Sequence, residues 1–142
     1  MSTPTNADSI FLNGKSQIVE MLRFMSADER KKLLQGIRQR NASMAQELES
    51  SSLTFEDFLS LNDTNLAKVI QYLDSSIMGV ALRGCDPDFQ RRALSLTDHE
   101  YAKRAFALMV KQIERESTLV KRARDKVIEL LVSLSRRSLI LL

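Results

Sequence analysis

"LSLNDTNLAK", residues 59–68, returns later in the chain as "LSLTDHEYAK", residues 94–103. Both copies place Leu-Ser-Leu ahead of an aspartate and end in Ala-Lys. An aspartate at such a point is typical of a helix start, because its carboxylate accepts hydrogen bonds from the free backbone N–H groups there. Asp28, Asp63 and Asp98 are evenly spaced, 35 residues apart. Helical units repeating at this period predict a short α-solenoid, in which stacked units bury a shared face.

Apolar side chains recur at the helical period of 3.6 residues on both sides of this repeat. Ser26 with Glu29 and Thr97 with Glu100 read as capping boxes, in which two side chains satisfy free backbone N–H groups. Asp86 followed by Pro87 is an N-cap with proline in the first helical position. The sequence therefore predicts an all-α protein of about eight helices, at residues 15–25, 27–40, 42–49, 63–73, 75–83, 87–95, 98–115 and 118–136.

"LTFEDFLSLND", residues 53–63, mixes apolar side chains with carboxylates and hydroxyls but has neither glycine nor proline. Its second half enters a helix, so the stretch is predicted to be a junction and not a strand. We expect a flexible segment at 1–13, an N-terminal helical group at 14–50, a hinge segment at 51–58 and a C-terminal helical subdomain at 59–142. Gly36 lies inside a predicted helix and predicts a close helix crossing, while Gly84 suits the end of another.

The composition is that of a globular protein that does not span a membrane. Of 142 residues 44% are hydrophobic, with no tryptophan, four glycines and two prolines. No apolar run reaches the roughly 18–20 residues that cross a bilayer. The N-terminus lacks the basic and long apolar regions of a secretory signal, and the single Cys85 points to a reducing compartment. A cytoplasmic protein is predicted.

The sequence contains few candidate catalytic or metal-binding residues. A zinc site needs about four nitrogen or sulfur ligands, and the chain has one histidine, His99, and one cysteine. His99 falls in the first turn of a predicted helix, which favours a surface position. The glycines are isolated, so no phosphate-binding loop is present. We therefore expect no enzyme activity, no metal and no cofactor.

Charge is distributed unevenly. Residues 101–142 carry 10 basic and 4 acidic side chains, against 11 and 14 in residues 1–100. One alternative is therefore a nucleic-acid-binding helical protein, although Asp125 and Glu129 interleave the basic residues and aromatic side chains are missing nearby. Another is a self-assembling protein that uses the apolar tail "SLILL", residues 138–142. The basic candidates for the first alternative are Lys121, Arg122, Arg124, Lys126, Arg136 and Arg137.

Several short motifs together resemble the C-terminal half of the flagellar motor switch family FliG. "TFEDFLSLND" (54–63), "VIQYLD" (69–74) and "ALRG" (81–84) match that family's Phe-Glu-Asp segment, the end of its following helix and its Ala-Leu-Lys-Gly segment, in the same order. The helical stretch upstream is also similar. The resemblance covers about residues 14–142.

The resemblance implies an armadillo-like helical superhelix that binds proteins and catalyses nothing, as a rotor component in torque generation and directional switching. The family's hinge maps to residues 52–55 and makes Leu53 and Phe55 the hinge candidates. Implied partners are flagellar switch, rotor and stator proteins, with homo-oligomers through stacked helices. The implied location is the cytoplasmic face of the inner membrane, in the flagellar basal body.

FliG proteins present a charged ridge to the stator, and this chain departs from the family's pattern there. The family's paired aspartates on that helix correspond to Ala107 and Leu108, and its Gly-Pro-Val turn is replaced around residues 113–115. The changed sign pattern leaves open whether torque generation is retained. The residues implied to face a partner are Arg83, Lys103, Arg104, Lys111, Glu114 and Arg115.

Overall fold

The computed structural model describes the backbone of residues 4–141 and the side chains of residues 14–141. Within these residues the chain is all-helical, which confirms the predicted fold class. Two compact units divide at Leu53 and Thr54, inside the predicted hinge segment. The described helices are α1 (Pro4–Phe24), α2 (Ala27–Arg40), α3 (Ala42–Ser51), α4 (Phe55–Leu59), α5 (Asp63–Gln71), α6 (Ser75–Ala81), α7 (Pro87–Ser95), α8 (His99–Val110) and α9 (Glu116–Arg136).

The first unit contains α1, α2 and α3, with a small core formed by Leu22, Leu34 and Leu48. Ser26 begins α2 as predicted, accepting a hydrogen bond from the backbone N–H of Glu29 at 3.2 Å. The first predicted helix boundary is wrong, because α1 begins at Pro4 and not near residue 15. The predicted flexibility of residues 1–13 stays a prediction, since residues 1–3 and all of these side chains lie outside the described part.

The close crossing predicted at Gly36 is also wrong. A Cβ atom built on Gly36 would meet no atom within 4 Å, so that glycine faces open space. The close approach lies instead at Gly79 in α6, where a Cβ would lie 2.3 Å from the carbonyl oxygen of Ala105. Gly79 therefore permits α6 and α8 to cross with their backbones in contact.

The second unit contains α4 to α9 and is built around α6, which packs against both α8 and α9. Helices α5, α6 and α7 begin at polar caps: Asn62 accepts from Asn65, Asp74 from Ser76 and Asp86 from Asp88. Gly84 has the positive φ of 75° expected just beyond the end of α6. The core is lined by Phe58, Leu66, Val69, Met78, Leu82, Val127, Leu131 and Leu134.

The two copies of the sequence repeat begin their helices differently. In the first copy Asn62 caps α5, whereas in the second Asp98 caps α8 by accepting from Tyr101 N at 2.8 Å. The predicted capping box of Thr97 is therefore wrong, and its hydroxyl donates instead to the carbonyl of Leu94. The two copies align without a gap, yet the capping residue of the second copy lies one position later than that of the first.

Two further differences concern the junction and the last loop. The predicted hinge segment includes a short helix, α4, in which the Asp57 carboxylate accepts from the backbone N–H and hydroxyl of Thr54. The predicted helix 98–115 is too long, because α8 ends at Val110 and a non-helical turn precedes α9. Between residues 4 and 141 we find no helix both long and apolar enough to cross a bilayer.

Candidate partner-binding surface

Helix α8 carries two residues of the predicted ridge on its exposed side. Its inner face includes Ala105, which is fully buried against α6, so the helix is held by one side. Lys103 and Arg104 lie on the exposed side. Phe106 and Val110 are 54% and 62% exposed, which is high for side chains of this size. The outer face of α8 is therefore both basic and apolar.

The other predicted ridge residues do not lie on α8. Lys111 is the residue at which α8 ends, while Glu114 and Arg115 form the turn that leads to α9. Arg115 adopts a left-handed conformation with φ of 54°, which costs a non-glycine residue roughly 1 kcal/mol. The structure thus replaces the single predicted helical ridge with a helix followed by a turn, and all three side chains are exposed.

Arg83 points inward, and this corrects its predicted place on the exposed ridge. Its side chain is only 10% exposed. One guanidinium nitrogen, Nη1, donates to the carbonyls of Leu108 and Lys111 at 2.7 Å and to that of Met109 at 3.1 Å. The Nε atom contacts the Glu116 carboxylate at 3.2 Å. The last carbonyls of a helix have no partners within the helix and carry partial negative charge, so a cation is well placed there.

Arg124 also points inward. Its Nε donates to the carbonyl of Ala81 at 3.1 Å and its Nη2 to that of Arg83 at 2.6 Å. The guanidinium lies 4.6 Å from the ring centre of Phe55, a cation–π distance. Arg124 therefore connects the end of α6 to α4 and α9, and it does not belong to an exposed basic face as the nucleic-acid alternative requires.

We call this pair of side chains the arginine clamp: Arg124 holds the backbone of Arg83, and Arg83 holds the end of α8. The sequence contains a signal for half of it. Arg124 lies four residues after Val120 and three before Val127, and Val127 is a fully buried position of α9. An arginine on such a stripe predicts an internal role. Nothing in the sequence indicates the direction of Arg83, which lies beyond the end of α6.

The remaining α9 cations are differently placed. Lys121 pairs with Asp125 one turn along the helix, at the spacing expected from the sequence. Arg122, Lys126 and Arg137 are exposed. A groove of about 640 Å³ runs along this part of the second unit, lined by Phe55, Arg83, Gly84, Glu116, Ser117, Val120, Lys121, Arg124, Asp125 and Ile128.

The hinge candidates and the tail have defined surroundings. Leu53 is 4% exposed. The ring of Phe55 lies 5.4 Å from that of Phe58 in α4. Within the tail Ile140 is 2% exposed, and the backbone carbonyl of Leu141 accepts from Asn65 Nδ2 at 2.8 Å. The tail therefore packs on its own unit through Ile140, which removes that residue from the suggested self-assembly surface.

The metal-ligating side chains and the Cys85 thiol are the groups to consider for chemistry. Among the described residues, no three His, Cys, Asp or Glu side chains form a group suited to a metal ion. Burial raises the pKa of the Cys85 thiol, so that side chain is protonated at neutral pH.

The chain is similar to one family of known proteins. The model of the FliG C-terminal domain matches residues 35–142. The flagellar motor switch protein FliG of Aquifex aeolicus is 24% identical over 130 residues, which are 92% of this chain and 38% of that protein. FliG of Thermotoga maritima is 23% identical over 84% of this chain and 36% of its own length. This chain thus spans less than two-fifths of either relative.

A solved structure shares the fold. A crystal structure of a FliG fragment from H. pylori superposes with a TM-score of 0.61 at 20% identity, covering 87% of this chain and 54% of that one. At this level of identity the likeness establishes the helical fold alone.

Proposed function

The chain belongs to the FliG C-terminal domain family, and on that premise we propose that it is a protein-interaction module of a flagellar motor switch. The family match over residues 35–142 carries the proposal. FliG proteins are structural motor components, and we extend this to the chain as a non-catalytic role on the cytoplasmic side of the membrane. Because the chain spans only part of the length of its relatives, the proposal concerns only the function of the part that it matches.

The contact surface that we assign comprises Lys103 and Arg104 on α8 and Lys111, Glu114 and Arg115 at its end and in the following turn. Exposure supports this assignment, and so does the positive balance of the five side chains. A surface of one dominant sign steers a partner of opposite sign and mainly raises the rate of association. The proposed partner is the acidic part of a stator or rotor protein. Arg83 is a positioning residue, because its guanidinium holds the end of α8.

Leu53 and Phe55 are assigned to a hinge because the boundary between the two compact units lies between them. Phe55 begins α4 and contacts Arg124 and Phe58, so it belongs to the second unit. The residues between α3 and α4, whose backbone angles we expect a hinge to change, are then Ser52 to Thr54.

The nucleic-acid alternative loses support from the position of Arg124 and from the Lys121–Asp125 pair. What remains exposed on α9 is a smaller set of cations. Phosphate binding by such a set would weaken steeply with added salt. Nucleic-acid binding is therefore the competing outcome of the capture experiment.

The test is affinity capture of the tagged full chain from flagellated cells, with captured proteins identified by mass spectrometry. Arg104→Glu with Lys111→Glu is the reversal variant, and Arg122→Glu with Lys126→Glu on α9 is the matched control. We expect stator or rotor proteins with the wild type and the control, and at least a tenfold loss with the reversal variant at unchanged helicity. Equal capture by both variants would refute the surface. Capture of nucleic acid alone, lost with the control pair, would refute the proposed function.

A further inference from the structure

The outer face of α8 combines exposed apolar side chains with a basic border. Phe106 and Val110 lie one helical turn apart on the same side, and Ala107 beside them is also exposed. Ala107 and Leu108 are also the positions where the resembling family has paired aspartates. The centre of this face is therefore apolar where a charged contact was expected.

The border is formed by Lys103, Arg104 and Lys111. None of the three forms an ion pair with another side chain of the described chain. Glu100 and Glu114 lie only at the two ends of the region. Phe106, Ala107 and Val110 thus form an apolar strip about 6 Å long, roughly one helical turn, with Lys103 at its N-terminal end and Arg104 and Lys111 along one edge.

We propose that this face docks an acidic amphipathic helix of a partner protein, with Phe106, Ala107 and Val110 in apolar contact and Lys103, Arg104 and Lys111 facing its carboxylates. The inference rests on the proposed function, since it names the kind of partner for the same surface. Helices bind helical surfaces through side chains at i and i+4, and carboxylate borders select against other partners.

A membrane surface fits this face less well. Amphipathic helices that bind lipid bury an apolar face about 5–10 Å deep in the interface. Here α8 cannot enter so far, because its opposite side is fixed to α6 at the Gly79–Ala105 crossing. The apolar strip is also short, and cations lie at its N-terminal end and along one edge.

The experiment titrates the full chain into a fluorescein-labelled, helix-stabilised 18-residue peptide with a leucine stripe bordered by glutamates. Two probes of the same length replace the glutamates by lysines or the leucines by alanines. The variant pair is Phe106→Ala with Val110→Ala, and Tyr72→Ala removes an exposed aromatic elsewhere in the same unit as the control. Circular dichroism establishes that each variant is folded.

We expect the glutamate–leucine peptide to bind and each altered probe to bind at least tenfold more weakly. The double alanine variant should lose at least tenfold in affinity, and the Tyr72 variant less than twofold. Failure of the peptide to bind, or equal binding by the double variant, overturns the inference. So does binding to phosphatidylserine vesicles in its place, or a concentration-dependent dimer that Phe106→Ala abolishes.

The two proposals fail separately. Peptide binding that depends on Phe106 and Val110, without capture of flagellar proteins from cells, refutes the proposed function and keeps the acidic-helix site. Capture that depends on Arg104 and Lys111 but is indifferent to Phe106 and Val110 keeps the proposed function and refutes the apolar contact.

Discussion

Replacing Arg83 by methionine should destabilise the second unit by about 3 kcal/mol. Methionine keeps an unbranched apolar stem but has no donors, so the carbonyls at the end of α8 lose their partner. Those of Leu108 and Met109 are partly buried, and a buried acceptor left without a donor costs about 1–3 kcal/mol. The Lys111 carbonyl is exposed and regains water. Glu116 is 56% exposed, so its ion pair contributes at most about 1 kcal/mol.

The assay uses a property of the sequence. Both tyrosines, Tyr72 and Tyr101, belong to the second unit and the chain has no tryptophan, so tyrosine fluorescence reports the unfolding of that unit alone. In urea, a loss of about 3 kcal/mol lowers the midpoint by about 2 M for a slope near 1.5 kcal/mol/M. The urea midpoint of Arg83→Lys should fall between those of the wild type and Arg83→Met, because one ammonium group cannot reproduce the planar fork of a guanidinium group.

Arg91→Met is the matched control, since Arg91 is 78% exposed and pairs only with an exposed carboxylate of α7. We expect it to change the free energy of unfolding by less than about 0.5 kcal/mol. If Arg83→Met matched this control at an unchanged slope, the arginine clamp would not hold the end of α8.

Two further predictions concern contacts of α8. Gly79→Ala should lower the melting temperature, because its Cβ would meet the Ala105 carbonyl at 2.3 Å and overpacking costs about 1–3 kcal/mol. Gly36 faces open space, so Gly36→Ala should raise the melting temperature by reducing the backbone entropy of the unfolded chain. A similar loss for both would contradict the assigned crossing. Burial raises the pKa of Tyr101, whose hydroxyl donates to the Leu73 carbonyl at 2.7 Å. A raised folded-state pKa means that this stabilisation is complete below the unfolded value near 10 and is lost as the pH rises above it. Tyr101→Phe should therefore cost about 1 kcal/mol at pH 8 and flatten the alkaline decrease in urea midpoint, and an unchanged decrease would count against that role.

Local sequence rules predicted the helices well where a short polar side chain decides the boundary. Ser26 and Asp86 begin their helices as expected, because a cap depends on contacts within two or three residues. The positive φ of Gly84 is likewise a local property, since it depends on the backbone of that residue alone. These features need no knowledge of the rest of the chain.

The errors arise where a distant part of the chain decides. Gly36 and Gly79 look alike in sequence, yet only one meets the backbone of another helix. No glycine or proline follows Val110, so the sequence does not mark the end of α8. Instead that end coincides with carbonyls that accept from Arg83, which lies 25 residues or more away in sequence. Exposure of Phe106 and Val110 is also a tertiary property.

The arginine clamp changes how the charge of this region should be read. Arg83 and Arg124 are basic residues whose guanidinium groups donate to backbone carbonyls of their own unit, so those donors are already engaged within the unit. A count of cations along residues 101–142 therefore overstates the attraction that α9 offers to a phosphate backbone. The charge that faces outward lies on the α8 face, where Lys103 is at the end of an apolar strip and Arg104 and Lys111 are along one of its edges. Affinity at such a surface depends mainly on the apolar centre, whereas the cations mainly determine the sign of the partner's charge and the rate of encounter. A charge reversal there should act through association, while a change at Phe106 or Val110 should act through dissociation.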